Sequence, residues 1–92
     1  MVQLVDIFGN TAQAKVLEFF LKNPDLVIYM SQIAKLLGIS HSTVSRVIQP
    51  LLDMGILLES KLGTRFRILR LNKNNRLTKL LLSFYAQLSQ IK

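Results

Sequence analysis

Residues 31–52, SQIAKLLGISHSTVSRVIQPLL, contain two short apolar-periodic segments that meet at a glycine. Read as helices, the first buries Ile33, Ala34 and Leu37, and Ser31 is placed to cap it. Gly38 ends it, because a helix that turns sharply into another needs a residue tolerant of positive φ just past its end. Ser40 can cap the second segment, in which Val44, Val47, Ile48 and Leu51 fall at i, i+3, i+4 and i+7 and line one face. Ser42, Ser45, Arg46 and Gln49 repeat that spacing on the opposite face, which is left for something outside the core. The small Ala34 has a reason too, since two helices crossing steeply at a short turn approach closely.

This is the layout of a helix-turn-helix. Around it, Asn10 or Thr11 can cap a helix running to about Lys22, where Asn23-Pro24 stops it. Its Val16, Leu17, Phe19, Phe20 and Leu21 wrap around more than one face, as burial on two sides requires. The first nine residues begin apolar and read as a short extension or a first helical turn that packs on a neighbour. Residues 26–29 are a short β-prone run. Pro50 removes the hydrogen bond to the Arg46 carbonyl and crowds it, so a kink or an early stop is expected there. Gly55 caps the end and leads into a strand over 56–60, a hairpin tip over 61–65 and a return strand over 66–71. Ile68 and Leu69 interrupt the alternation, which predicts a strand covered on both faces or bulged. A last helix starts near Asn74 or Asn75, and its Leu77, Leu81, Phe84, Leu88 and Ile91 are spaced as a heptad seam.

Ninety-two residues allow one domain, near the lower size at which a single core is stable. With no cysteine and a single histidine, disulfides, thiolate metal sites and a self-contained zinc site are excluded. No stretch approaches the roughly 18 apolar residues of a membrane span, and no basic run precedes the first apolar residues, so a cytoplasmic location is expected. The formal charge is +7, and its distribution is one-sided. Residues 1–59 hold four basic and five acidic side chains, whereas 60–92 hold eight basic and none acidic. Solubility alone would not need such asymmetry; a polyanionic partner would.

Ile33, Ala34, Leu37, Gly38, Ile39, Val44 and Val47 sit where helix-turn-helix proteins place their apolar, small and glycine residues. The segment GISHSTVSRVIQPLLDMGIL, running into the basic hairpin, resembles the winged helix-turn-helix transcriptional regulators of the MarR and ArsR type. LVDIFGNTAQAKVLEFFL and RLNKNNRLTKLLLSFYAQL resemble the small archaeal members of that group. The resemblance covers nearly the whole chain. It implies a mainly α protein with a small β-hairpin (α+β), organised as one domain over 1–92. Within it the helix-turn-helix spans 31–52, the wing 56–71 and a long C-terminal dimerisation helix 74–91.

Duplex DNA accounts for most of these features together. A helix fits the major groove, where base edges display distinguishable donor and acceptor patterns. Arg46 can grip guanine O6 and N7, and Gln49 can pair with adenine. Ser40, His41, Ser42, Thr43 and Ser45 lie where bases or phosphates come within reach. For Arg46 the competing reading is a solvated surface charge; Ser40, His41, Ser42 and Thr43 resemble a catalytic cluster, but their ordinary reading is capping and phosphate contact at a helix N-terminus. Lys61, Arg65 and Arg67 of the wing should grip backbone or enter the minor groove, with Lys35, Lys73, Arg76 and Lys79 as further basic candidates. Half of the chain is hydrophobic, more apolar surface than so small a core hides, which favours a homodimer through Leu77, Leu81, Phe84, Leu88 and Ile91. No catalytic constellation, glycine-rich nucleotide loop, metal site or cofactor pocket is legible, so an enzyme is not expected. The competing classes are a winged-helix protein-interaction module and an RNA- or replication-origin-binding protein.

Overall fold

A computed structural model describes residues 2–63 and 66–91. In chain order the elements are α1 (Leu4–Phe8), α2 (Ala12–Lys22), β1 (Val27–Tyr29), α3 (Met30–Leu37), α4 (His41–Asp53), β2 (Leu57–Leu62), β3 (Phe66–Leu71) and α5 (Arg76–Leu88). The three strands form one antiparallel sheet in the order β1-β3-β2. The protein is thus mainly helical with a small sheet, an α+β winged helix.

Local chemistry explains most element boundaries. Thr11 accepts the Ala14 N–H at 3.1 Å and opens α2, and Asn75 accepts the Thr78 N–H at 3.0 Å and opens α5. Helix α3 starts earlier than Ser31. Its N-cap is Tyr29, whose N–H donates to Gln32 Oε1 at 3.1 Å, so the glutamine three residues on decides the start. Of the two outcomes expected at Pro50 the early stop does not occur, since helix α4 runs through it to Asp53. Pro50 is exposed, one turn beyond the exposed Arg46, so the backbone bond it deletes lies on the solvent side and the buried face is untouched.

The core is a single apolar cluster. Phe20 and Val16 of α2, Ile33 of α3, Val44 and Ile48 of α4, and Leu69 of β3 are completely buried. Burying each such side chain contributes roughly 1.5–3 kcal/mol. In the sheet the inward pairs Ile28↔Leu69 and Leu57↔Leu71 lie on this core. The register is one-to-one from Leu57↔Leu71 to Leu62↔Phe66 with no bulge, and Ile68 stands half-buried on the outer face between Tyr29 and Ser60.

The unassigned N-terminal residues form the short helix α1, which Leu4 anchors in the core. The Leu4 N–H donates at 2.7 Å to the carboxylate of Glu18, which is itself buried. Loss of solvent, and then the adjacent Glu18 charge and hydrogen bond, push the Tyr85 hydroxyl pKa above its usual value, so α1, α2 and α5 meet around one carboxylate.

A polar clasp joins α4 to the wing. After α4 the N–H of Ile56 bonds the Leu51 carbonyl at 2.9 Å and that of Gly55 the Leu52 carbonyl at 3.0 Å, a Schellman ending. Asn72 Nδ2 donates to the Gly55 carbonyl at 3.0 Å and Asn75 Nδ2 to that of Met54 at 3.3 Å. Gly55 has φ +77, and a Cβ there would stand 2.7 Å from Asn75 Nδ2. Gly55→Ala therefore combines left-handed strain with a clash, and is expected to lower unfolding stability by about 1–3 kcal/mol. A urea denaturation midpoint that does not move would show the clasp to be dispensable.

Candidate nucleic-acid interface

The turn between α3 and α4 is built by Gly38, at φ 65 and ψ 36. No atom lies within 4 Å of where its Cβ would be, so the left-handed backbone rather than space selects glycine. The Ile39 N–H returns to the Ala34 carbonyl at 3.0 Å and closes α3. Ala34 is buried, as a close helix crossing requires.

On α4 the buried face holds Val44, Val47, Ile48 and Leu51, while His41, Ser42, Arg46 and Gln49 are exposed. The Ser/Thr cluster is engaged locally. Ser40 Oγ accepts the Thr43 N–H at 3.2 Å, donates to Thr43 Oγ1 at 2.8 Å and lies 3.2 Å from Ser42 Oγ. Ser40 and Thr43 are therefore first of all the cap of α4. Gln49 Nε2 donates to Asp53 Oδ1 at 2.9 Å. Arg46 has no hydrogen-bond or ion-pair partner among the described residues, and no acidic side chain shares its exposed stripe until Asp53.

The wing is fixed against α4 by Arg67. Its guanidinium pairs with Glu59 on the neighbouring strand, donates to Ser45 Oγ at 3.0 Å and reaches Met30 Sδ at 3.6 Å. Arg67 and Ser45, both read from the sequence as DNA contacts, thus satisfy one another, and each is only partly exposed. Lys61, directly opposite Arg67 in the hairpin, is exposed. Arg65 lies outside the described residues. Of the remaining cations, Lys73 pairs with Asp25, and Lys35, Arg76 and Lys79 are exposed.

The structure adds Tyr29, Met30 and Phe66, which spacing did not single out. A recess of about 230 Å³ between the wing and the starts of α3 and α4 is lined by Tyr29, Met30, Ser31, His41, Phe66 and Arg67. Ser31, which looked like a cap, instead sits exposed at this recess. Only the pairing of β1 with β3 brings Tyr29 beside Phe66, which no local pattern reveals.

The expected helix over 74–91 is shorter, Arg76–Leu88, because Asn75 caps its start and the chain leaves the helix at Ser89, so Ile91 lies beyond it; the seam also divides. Leu88 is buried and Leu81 packs against the core of its own chain, whereas Leu77, Phe84 and Ile91 are 39%, 40% and 53% exposed. Leu80, at 68%, joins the exposed group. Among the described residues no cluster of three or more His, Cys, Asp or Glu could hold a metal, and no helix is long and apolar enough to cross a membrane.

Helix, tight turn, one-sided second helix and pinned hairpin together define a winged helix-turn-helix. Residues 10–65 match the model of the MarR family, and the chain belongs to that family. Among solved structures it is similar to a possible transcriptional regulator from Methanosarcina mazei Go1, with 26% identity, a TM-score of 0.65, and coverage of 88% of this chain and 74% of that one. No curated protein matches the chain.

If Arg67 docks the wing through Ser45, their contributions to stability should be coupled. In a double-mutant cycle of Ser45→Ala and Arg67→Ala, the two losses should fail to add by about 0.5–1.5 kcal/mol. Strict additivity in chemical denaturation would show the contact to be inert.

Proposed function

We propose that this protein is a sequence-specific duplex-DNA-binding transcriptional regulator that acts as a homodimer. The observation that carries the reading is the unpartnered guanidinium of Arg46 at the centre of the exposed α4 stripe, flanked by Ser42 and Gln49. A helix of this diameter enters the major groove, and a free arginine fork suits guanine O6 and N7. Gln49 can exchange Asp53 for an adenine, and His41 and Ser42 reach phosphates beside the α4 N-terminus. The wing follows the neighbouring backbone or minor groove with Lys61 and Arg65, while Arg67 sets its angle. Membership of the MarR family and the likeness to a possible transcriptional regulator support this assignment.

Homodimerisation is supported by the exposed Leu77, Leu80 and Phe84 on α5 and Ile91 just past its end, with Ile7 and Phe8 exposed on α1. Leu81 and Leu88 hold the helix from beneath. A symmetric dimer presents two copies of α4 to half-sites about 34 Å apart on a pseudo-palindrome.

Replacing Arg46 by Ala should cost roughly 1–3 kcal/mol of binding and relax preference at one base position. Competition against single-base variants of a duplex selected from a random pool reads both; equal weakening on every sequence would make Arg46 a phosphate contact. Phe84→Glu should convert dimers to folded monomers in sedimentation. A monomeric wild type would dismiss the seam.

A further inference from the structure

Strand alternation gives the sheet two unlike faces. Ile28, Leu57, Leu69 and Leu71 lie on the core, and Arg67 on that side reaches Ser45 of α4. The opposite face turns away from α4. On it the register sets Val27, Arg70 and Leu58 in one cross-strand row, Tyr29, Ile68 and Ser60 in the next, and Phe66 beside Leu62 in the last. All but Arg70 and Ser60 are apolar or aromatic. Each is exposed or half-buried, with Val27, Leu62 and Phe66 at 60%, 56% and 52%, so no described element covers this face. The solvent side of an antiparallel sheet ordinarily alternates to polar residues, and a contiguous apolar patch there marks an interaction site. Tyr29 and Phe66 meet edge-on with centroids 5.7 Å apart, which braces the aromatic end.

Charge and size on this same face select what covers it. Among the described residues Arg70 is the one charged side chain on it, exposed and without a hydrogen-bond or ion-pair partner. A second copy laid sheet to sheet would take two guanidinium groups out of water with no carboxylate on either face to meet them. The rows span only about 10 Å across the strands and about 14 Å along them, well short of the roughly 800 Å² per partner of a stable dimer. A nucleic-acid backbone would satisfy Arg70 and leave the surrounding apolar side chains unmatched. One helix, about 10 Å in diameter, matches the width of the face, and two to three turns match its length. Apolar side chains at i, i+3 or i+4, and i+7 would lie on the rows, and a carboxylate beside them would receive the fork of Arg70.

We infer that the outer face of the sheet docks an amphipathic helix of another protein, whose apolar ridge carries an Asp or Glu opposite Arg70. The face points away from α4, so this helix and duplex DNA are held at the same time. The site therefore adds a protein partner to the proposed regulator and does not depend on the DNA reading.

The test selects, on the full chain, from a displayed library of helical peptides of about 15 residues with one face randomised. Synthetic copies of the selected peptides are then titrated by fluorescence anisotropy. They should carry large apolar residues at i, i+3 or i+4, and i+7, with a carboxylate at one fixed position, and should shift the amide resonances of Val27, Tyr29, Ile68 and Arg70. Arg70→Glu should weaken them about tenfold or more, and exchanging the peptide carboxylate for Lys should restore binding to that variant. Val27→Ser, at an exposed position, should weaken them several-fold in a folded chain. A saturating duplex recovered from a random pool should leave peptide affinity unchanged. Enrichment of nothing, peptides with no acidic preference, or shifts confined to α1 and α5 would overturn the inference. So would displacement of the peptide by duplex, which would give the face to DNA, or dissociation of wild-type oligomers by Arg70→Glu in sedimentation, which would give it to a second copy. Failure of any duplex to bind would remove the DNA reading alone.

Discussion

The burial of one face of α4 is the constraint on which the other features depend. Val44 and Ile48 have no solvent exposure and Leu51 almost none, and they share a core with Phe20, Ile33 and Leu69. Those contacts fix the rotation of α4 about its axis, and so fix which residues face outward. Arg46 and Gln49 are presented because Val44, Val47, Ile48 and Leu51 cannot be. Gly38 then determines how α3 meets α4.

The base of the wing shares the apolar core with the same helix through Leu57, Leu69 and Leu71, and two polar attachments add direction to that packing. At its base, Asn72 and Asn75 hold the carbonyls of Gly55 and Met54, and the buried Thr78 lies 3.5 Å from the Ile56 carbonyl. Along its length, Arg67 joins Glu59 and Ser45. Hydrogen bonds to charged groups contribute roughly 1.5–3 kcal/mol and are directional, so they set an angle as well as a distance. The hairpin is thereby held in one orientation to α4.

Much of the fold was legible because it rests on local signals. Thr11, Ser40 and Asn75 cap helices where their side chains suggest, and Gly38 and Gly55 take the positive φ that their positions require. Legibility ended where tertiary pairing decides. The ties of Arg67 to Ser45 and Met30 span 22 and 37 residues, so no spacing rule announces them. Ser31 lost the cap of α3 to Tyr29 because Gln32 accepts the Tyr29 N–H, a competition between neighbours that residue type alone does not resolve. In α5 two apolar stripes lie side by side. A heptad count could not tell that Leu81 and Leu88 belong to the chain's own core while Leu77, Phe84 and Ile91 face outward. Helix α1 depends on Glu18 receiving the Leu4 N–H, a contact between residues fourteen apart.

The central claim is that the outward stripe of α4 reads duplex DNA from the major groove. Methylation interference on a selected duplex tests it most directly, because guanine N7 lies in the major groove and adenine N3 in the minor. The account predicts that N7 methylation blocks wild-type binding in two patches about one helical turn apart, and that Arg46→Ala is insensitive at one guanine of each patch. Binding that tolerates methylation of every guanine N7 would contradict it.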